Sequence, residues 1–546
     1  MKRESHRPML ILAGALLLAL LGFAGVAWHY MRDDAFVAWW NAPLTPPADK
    51  PVPRHVKHAA LHNDGISVPL THPGANNTPP QPGNTPGPAN SSNGGAVAPG
   101  KTAAILPTTP VRPPAKMPAD YETPNPWFAL DKFQGAMTRG EFDARVKELF
   151  DPFGGLPPFV DINDERIVLY ASPQRREIPQ YTLRFAPAAD KRTVWQRPFR
   201  TPAEFRAVPK PPDKPLHGLR IAIDPGHIGG DWAKIEERCT RYRGSEYVKE
   251  GDLNLITAFI MRRELTRLGA SVFLVREANE PVTPYRPADF LDDARRRLLD
   301  EAKGKTLDKL IRMTPEQQAK SFGKKMPKLA EFLFYRSSEI LERGSRIRNN
   351  FIPDITITLY INATPASGRG GLAYLNRNIF FVHGSYMKTE VEDTRQRLRM
   401  MHKILENATP IEVEVADRIS LVFKRVTGFP AVLYGNSATT RKVCDNPYVV
   451  ARNLAANREY DGPVVCTEPY FMNEVNTYPR LLAGDFDGER KFNGKMFRSI
   501  FREYADCVVE GLVAAYGPPP KPSPPPVQVA RQPQPSGTAG EVAAGN

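Results

Sequence analysis

The apolar run at residues 219–223 stops abruptly at Asp224-Pro225-Gly226-His227, and Glu250 opens the next amphipathic segment, Glu-Gly-Asp-Leu-Asn-Leu. A buried strand that ends in a glycine turn and feeds a helix is the unit from which layered α/β folds are built. The unit recurs along residues 217–516. Strands are expected at 219–223, 271–275, 355–361, 371–374 and 464–465, and helices at 253–268, 339–349, 413–427 and 497–516. This alternation predicts an α/β domain: a mostly parallel twisted sheet with helices on both faces. In such sheets ligands bind beyond the carboxyl ends of the strands. His227, Tyr360 and Glu468 each close an apolar run, so they are expected on one rim.

Much of the remaining chain cannot be core. Of 546 residues, 56 are proline, about twice the usual frequency. Residues 29–118 and 517–546 are rich in Pro, Gly, Ser and Ala with few aromatics, and read as a disordered linker and tail. Residues 9–28 are uninterruptedly apolar and follow Lys2, Arg3 and Arg7. About 20 such residues span a bilayer as a transmembrane helix, and the preceding charges place residues 1–8 in the cytoplasm. Gly25-Val26-Ala27 also suits removal of this stretch as a signal peptide. Either way the body is expected outside the cytoplasm, on the periplasmic or cell-wall side. A net charge of +14 calls for acidic partners. Export and the scatter of the basic residues favour an anionic envelope over nucleic acid. The four cysteines form no C-x-x-C pair, which argues against a cysteine zinc site.

Two further segments stand out. Thr138-Arg139-Gly140-Glu141-Phe142 has the form of a capped helix start, and short apolar runs follow at 159–160, 167–170 and 181–183. Residues 119–200 therefore predict a small N-terminal α+β module, too small to be stable alone. It is expected to pack on the main domain or to bind something else. Residues 287–336 are dense in Lys and Arg, with Leu291, Leu298, Leu299, Leu307, Leu310 and Ile311 at helical intervals. They predict a basic helical hairpin inserted in the main domain, either solvated or flanking the cleft.

The segments around Asp224–His227, Glu250–Leu255, Tyr360–Ala363 and Val465–Glu468 together resemble those of the zinc-dependent N-acetylmuramoyl-L-alanine amidase family, whose members cleave peptidoglycan. The resemblance covers residues 219–516. It implies Zn2+ as cofactor, His227 and Glu250 as ligands, and Glu468 as the base that activates a metal-bound water. Asp224 is expected behind His227 as an acceptor for its other ring nitrogen. The family's third ligand is a histidine preceding x-Asn-Ala, and here that position is Tyr360. Three readings stay open: zinc held by His227, Glu250 and Tyr360; zinc completed by His383, in Phe381-Val382-His383-Gly384; or no zinc.

The activity so implied is hydrolysis of the amide between N-acetylmuramic acid and L-alanine in peptidoglycan. The protein would work from the inner membrane through its N-terminal helix, with an envelope regulatory protein as a further partner. Arg452-Asn453 could grip a muramyl-peptide carboxylate. The alternative is a catalytically inactive amidase-like domain that binds peptidoglycan or an envelope partner. Tyr360 favours it, and the trio His227, Glu250 and Glu468 opposes it.

Overall fold

The computed structural model describes residues 125–242, 244–364, 372–434, 437 and 439–518. The apolar stretch 9–28, the linker 29–118 and residues 519–546 of the tail lie outside the described residues. Among the described residues no helix is long and apolar enough to cross a membrane.

The first folded segment contains helix α1 (Arg139–Arg145) and a three-stranded antiparallel sheet of β1 (Val160–Ile162), β2 (Arg166–Leu169) and β3 (Tyr181–Arg184). Thr138 and Glu141 form the capping box that starts α1. Trp127, Phe133, Phe142, Phe150, Ile167 and Leu169 are buried here, but not by one another alone. The same cluster contains Tyr386, Met400, Met401 and Ile404 from far along the chain. So small a segment buries too little apolar surface by itself, and it completes its core against the main body.

The main body begins with β4 (Arg220–Pro225) and the short ribbon β5 (Cys239–Thr240) and β6 (Val248–Lys249). Helix α2 (Glu250–Arg267) and β7 (Ser271–Leu274) follow. After the insertion come α3 (Glu339–Asn350), β8 (Ile355–Leu359), β9 (Ile379–Val382), α4 (Thr394–Glu406) and α5 (Thr409–Thr427). The chain then runs through β10 (Thr440–Lys442), β11 (Val449–Arg452), β12 (Val464–Glu468), a hairpin of β13 (Glu489–Phe492) and β14 (Lys495–Arg498), and α6 (Ile500–Tyr516). Seven strands form one sheet in the order β10-β11-β9-β12-β8-β4-β7. Strands β7, β4, β8 and β12 are mutually parallel, whereas β9 is antiparallel to β12.

The period-2 alternation of a strand sorts its side chains between the two helical layers. Ile221 and Ile223 of β4 join Met261 of α2, Ile419 of α5 and Leu512 of α6 in the large core. Ala222 between them faces the other way, toward Ile347 of α3 and Tyr460. Both faces of the sheet are therefore covered, as the apolar alternation predicts.

Three expectations are corrected. No strand spans 371–374: residue 371 lies outside the described residues and Ala373 makes one isolated bridge to Glu474. The strand in this region is β9, and it is reversed. The closing helix starts at Ile500 because residues 495–498 are taken by β14. The insertion is not a hairpin but four short helices, Leu291–Glu301, Gly304–Leu310, Pro315–Phe322 and Lys325–Phe332. Thr314 caps the Pro315 helix, and Gly323 ends it with a φ of 53° that few other residues adopt. Leu333–Ser338 then forms a π-helical turn leading into α3.

Fully buried Asp354 ties the start of the sheet together. The backbone N–H groups of Arg200 and Arg220 both donate to it at 3.0 Å, and Arg220 Nη2 donates at 2.8 Å. Burial opposes its charge, but hydrogen bonds from Arg200 and Arg220 outweigh burial and hold the carboxyl below its usual range. A depressed native pKa gives stability that is present above the unfolded value near ~4 and is lost as pH falls through the native value. Asp354→Ala is expected to cost about 3 kcal/mol near neutral pH, measured by urea unfolding. The difference from wild type should shrink in acid; a constant difference would mean that the carboxylate charge is not what matters.

Candidate functional site

Parallel register brings the site residues level. Leu359 of β8 stands beside Pro225 of β4 on one side and Thr467 of β12 on the other. The next residues along these strands, Gly226, Tyr360 and Glu468, therefore emerge together at the carboxyl edge. A Cβ on Gly226 would lie 2.4 Å from the Leu359 carbonyl and 2.5 Å from the Tyr360 ring, so only glycine fits.

The turn carrying His227 is held by two buried guanidinium groups. Arg343 of α3 donates to Asp224 Oδ1 at 2.8 Å and to the carbonyls of Pro225 and His227 at 3.0 Å. Arg276 donates to the Pro225 carbonyl at 2.9 Å and the Gly251 carbonyl at 2.5 Å. So gripped, His227 keeps a left-handed φ of 60°, a conformation that histidine adopts more readily than most residues.

Three groups meet the His227 imidazole. Nε2 lies 3.3 Å from Glu250 Oε2, and Arg238 Nε donates to the same nitrogen at 3.3 Å. Nδ1 lies 3.5 Å from Glu236 Oε1. Acceptance at Nε2 assigns the ring proton to Nδ1, facing Glu236. Burial opposes charge on Glu236, but His227 and the Ile228 N–H, at 2.7 Å, hold its carboxyl below the usual range. Glu250, the first residue of α2, turns its other oxygen to accept from the Ile361 N–H at 3.1 Å. Tyr360 packs edge-on against the imidazole, with centroids 5.3 Å apart at 85°. These residues, with Glu468, Arg336, Arg343 and Arg452, line a cleft of about 180 Å³.

His227, Glu250, Tyr360 and Glu468 thus come together as the sequence predicts. His383 does not. Antiparallel pairing sets Ile379 opposite Glu468, so β9 begins at the site and leads away from it. Its continuation puts His383 level with Val464, some four residues or ~13 Å down the sheet. There His383 is buried, its N–H donating to Glu412 and its Nε2 3.0 Å from Tyr386 Oη. Asp224 is also reassigned: its carboxylate pairs with Arg343 and Tyr460, and the acceptor behind His227 is Glu236. Glu236 and Arg238 are not legible in the sequence by periodicity, because they lie in a loop between the turn at Gly229-Gly230 and β5. The available signal was their position after Gly229-Gly230, in the stretch that leads to Glu250.

No family model matches the chain, and no curated protein matches it. Solved structures do. The catalytic domain of CwlV, an N-acetylmuramoyl-L-alanine amidase from Bacillus (Paenibacillus) polymyxa var. colistinus, is 12% identical, with a TM-score of 0.27 over 54% of this chain and 96% of its own. The apo form of the amidase Ami1 from Mycobacterium abscessus is 14% identical, with a TM-score of 0.27 over 55% of this chain and 99% of its own. The CwlD amidase from Clostridioides difficile, in complex with the GerS lipoprotein, is 15% identical, with a TM-score of 0.27 over 54% of this chain and 96% of its own.

The zinc implied by the sequence resemblance can be tested against these side chains. Two zinc ligands at ~2.05 Å on a tetrahedral edge stand about 3.3 Å apart, the His227–Glu250 separation. The remaining donors do not complete a site. Among the described residues no three His, Cys, Asp or Glu side chains are grouped to hold a metal ion. Tyr360 occupies the third position, and a neutral phenol is a weaker metal donor than the imidazole it replaces. The Arg238 guanidinium faces the nitrogen that zinc would need. This donor set does not fit zinc.

Glu468 is pushed up to about 7, first by burial and then by the charge of Glu250, against Arg452 and Arg238. A raised carboxyl favours the neutral form in the folded state. Its contribution to stability is therefore full below the unfolded value near ~4.3 and lost as pH rises through about 7. Glu468→Gln should gain on wild type in thermal melts as pH rises from about 5 to about 8. A difference that stays flat across that range would mean that Glu468 titrates normally.

Proposed function

We propose that this chain is an exported, membrane-anchored, amidase-like module that binds peptidoglycan in the His227–Glu468 cleft without zinc-dependent hydrolysis. The observation that carries this reading is the Arg238 guanidinium on His227 Nε2, combined with tyrosine at position 360. The N-terminal apolar stretch and the net positive charge support residence beside an anionic wall. Arg452 lines the cleft, and its positive charge suits the carboxylates of stem peptides. Glu468, neutral below about pH 7, can donate its O–H to an amide carbonyl.

One observation favours a second reading, zinc-dependent amidase activity: His227 and Glu250 stand at the spacing of two zinc ligands, with Glu468 on the same rim. One experiment separates the two. The full chain in detergent is assayed for zinc per molecule, for release of stem peptides from purified peptidoglycan, and for co-sedimentation with that peptidoglycan. The binding reading expects little zinc, no release, and co-sedimentation weakened about tenfold by Arg452→Glu. About one tightly held zinc with peptide release would establish the hydrolase. Absence of co-sedimentation would sink the binding role.

A further inference from the structure

Between His227 Nε2 and Glu250 Oε2 the cleft has the geometry of a cation site. With the ring proton on Nδ1, both atoms present lone pairs 3.3 Å apart, an arrangement that positive charge beside them stabilises. The chain supplies that charge by a local route. Ribbon β5–β6 pairs Cys239 with Lys249, so the residue before the one strand faces the residue after the other. The Arg238 carbonyl accepts from the Glu250 N–H at 3.1 Å, while the Arg238 N–H donates to the Ala233 carbonyl at 2.8 Å. Backbone bonds on both sides therefore fix Arg238 against the first residue of α2. Its side chain then reaches the imidazole, with Nε donating to Nε2 and Nη1 to the Glu237 carbonyl at 3.3 Å each.

Resting on the metal-free reading, we infer that the Arg238 guanidinium is the resident cation of this cleft, engaging the His227 nitrogen that a divalent metal shared with Glu250 would need. Two residues together account for the change. Tyr360 removes a third donor, and Arg238 engages one of the two donors that remain. A guanidinium is planar, permanently charged and covalently tethered, so it needs no third ligand and cannot exchange with solvent. The field it supplies reaches the rest of the rim, where with Arg452 it opposes part of the upward push on the Glu468 carboxyl. In this view the site is a latent metal centre with its own internal counter-ion, able to orient a polar ligand but holding no metal-bound water.

The assignment makes zinc binding depend on both positions at once. Full-length wild type, Arg238→Ala, Tyr360→His, the double variant, and Tyr360→His combined with Arg238→Lys are titrated with zinc against a chromophoric chelator. Melting temperatures with and without zinc are recorded alongside. The double variant is expected to take up about one zinc, and to bind it at least about tenfold more tightly than Tyr360→His alone. The lysine combination, which keeps the charge, should stay as weak as the single variant. Should the alanine variant fail to fold, Arg238→Gln carries the same comparison at similar length without charge. Equal affinity for Tyr360→His and the double variant would overturn the role of Arg238, and so would a folded double variant that binds no zinc. Tight zinc on wild type is a different failure, because it would sink the metal-free reading itself.

Discussion

The grip of Arg343 on the turn after β4 is the interaction on which the architecture of the site depends. One guanidinium, 1% exposed, bridges Asp224, Glu339 and two backbone carbonyls. It links the sheet edge to α3, the helix that returns from the insertion. Tyr460 closes the arrangement from the far side with a 2.6 Å hydrogen bond to Asp224. Buried charges are tolerated only when paired and hydrogen-bonded, and loss of Arg343 would leave the buried carboxylates of Asp224 and Glu339 without their shared counter-ion. The left-handed His227 is tied into this network through its carbonyl, which accepts from Arg343.

From this constraint the order of the site follows. With the turn fixed, parallel pairing of β4, β8 and β12 sets three edge residues side by side. Gly226 allows the Tyr360 ring to close over the gap. Glu250 arrives at the same point because α2 begins immediately after β6. Arg238 arrives because β5 pairs with β6 in the opposite direction. The short ribbon thus delivers a carboxylate and a guanidinium to one imidazole. The chemistry of the cleft reflects that delivery as much as it reflects the sheet.

How much of this was legible in the sequence depended on the range of the interactions involved. The strands at 219–223 and 355–361, and the helices around 253–268 and 339–349, announce themselves by apolar periodicity, which is a local property. So does the convergence of His227, Tyr360 and Glu468, because parallel strands with crossover helices share one carboxyl edge. The direction of β9 is not local. Ile379–Val382 is equally apolar read either way, and only its pairing with β12 decides that His383 leads away from the site. Likewise Asp224 looked like a partner for the nearest histidine, whereas its charge is claimed by Arg343, 119 residues further on. Polar partners at that separation leave no periodic trace.

The shared core between the first folded segment and α4 has a consequence for how the chain reaches this state. Phe133 and Phe142 are covered by Met400, Met401 and Ile404, more than 250 residues later in the sequence. Closing so long a loop is entropically slow compared with local contacts. During synthesis the early segment precedes α4, and its aromatic face stays uncovered until α4 has followed. It therefore cannot mature as an independent unit, and its exposed apolar surface is the interval of greatest aggregation hazard. The first folded segment and α4 are, kinetically, a single event.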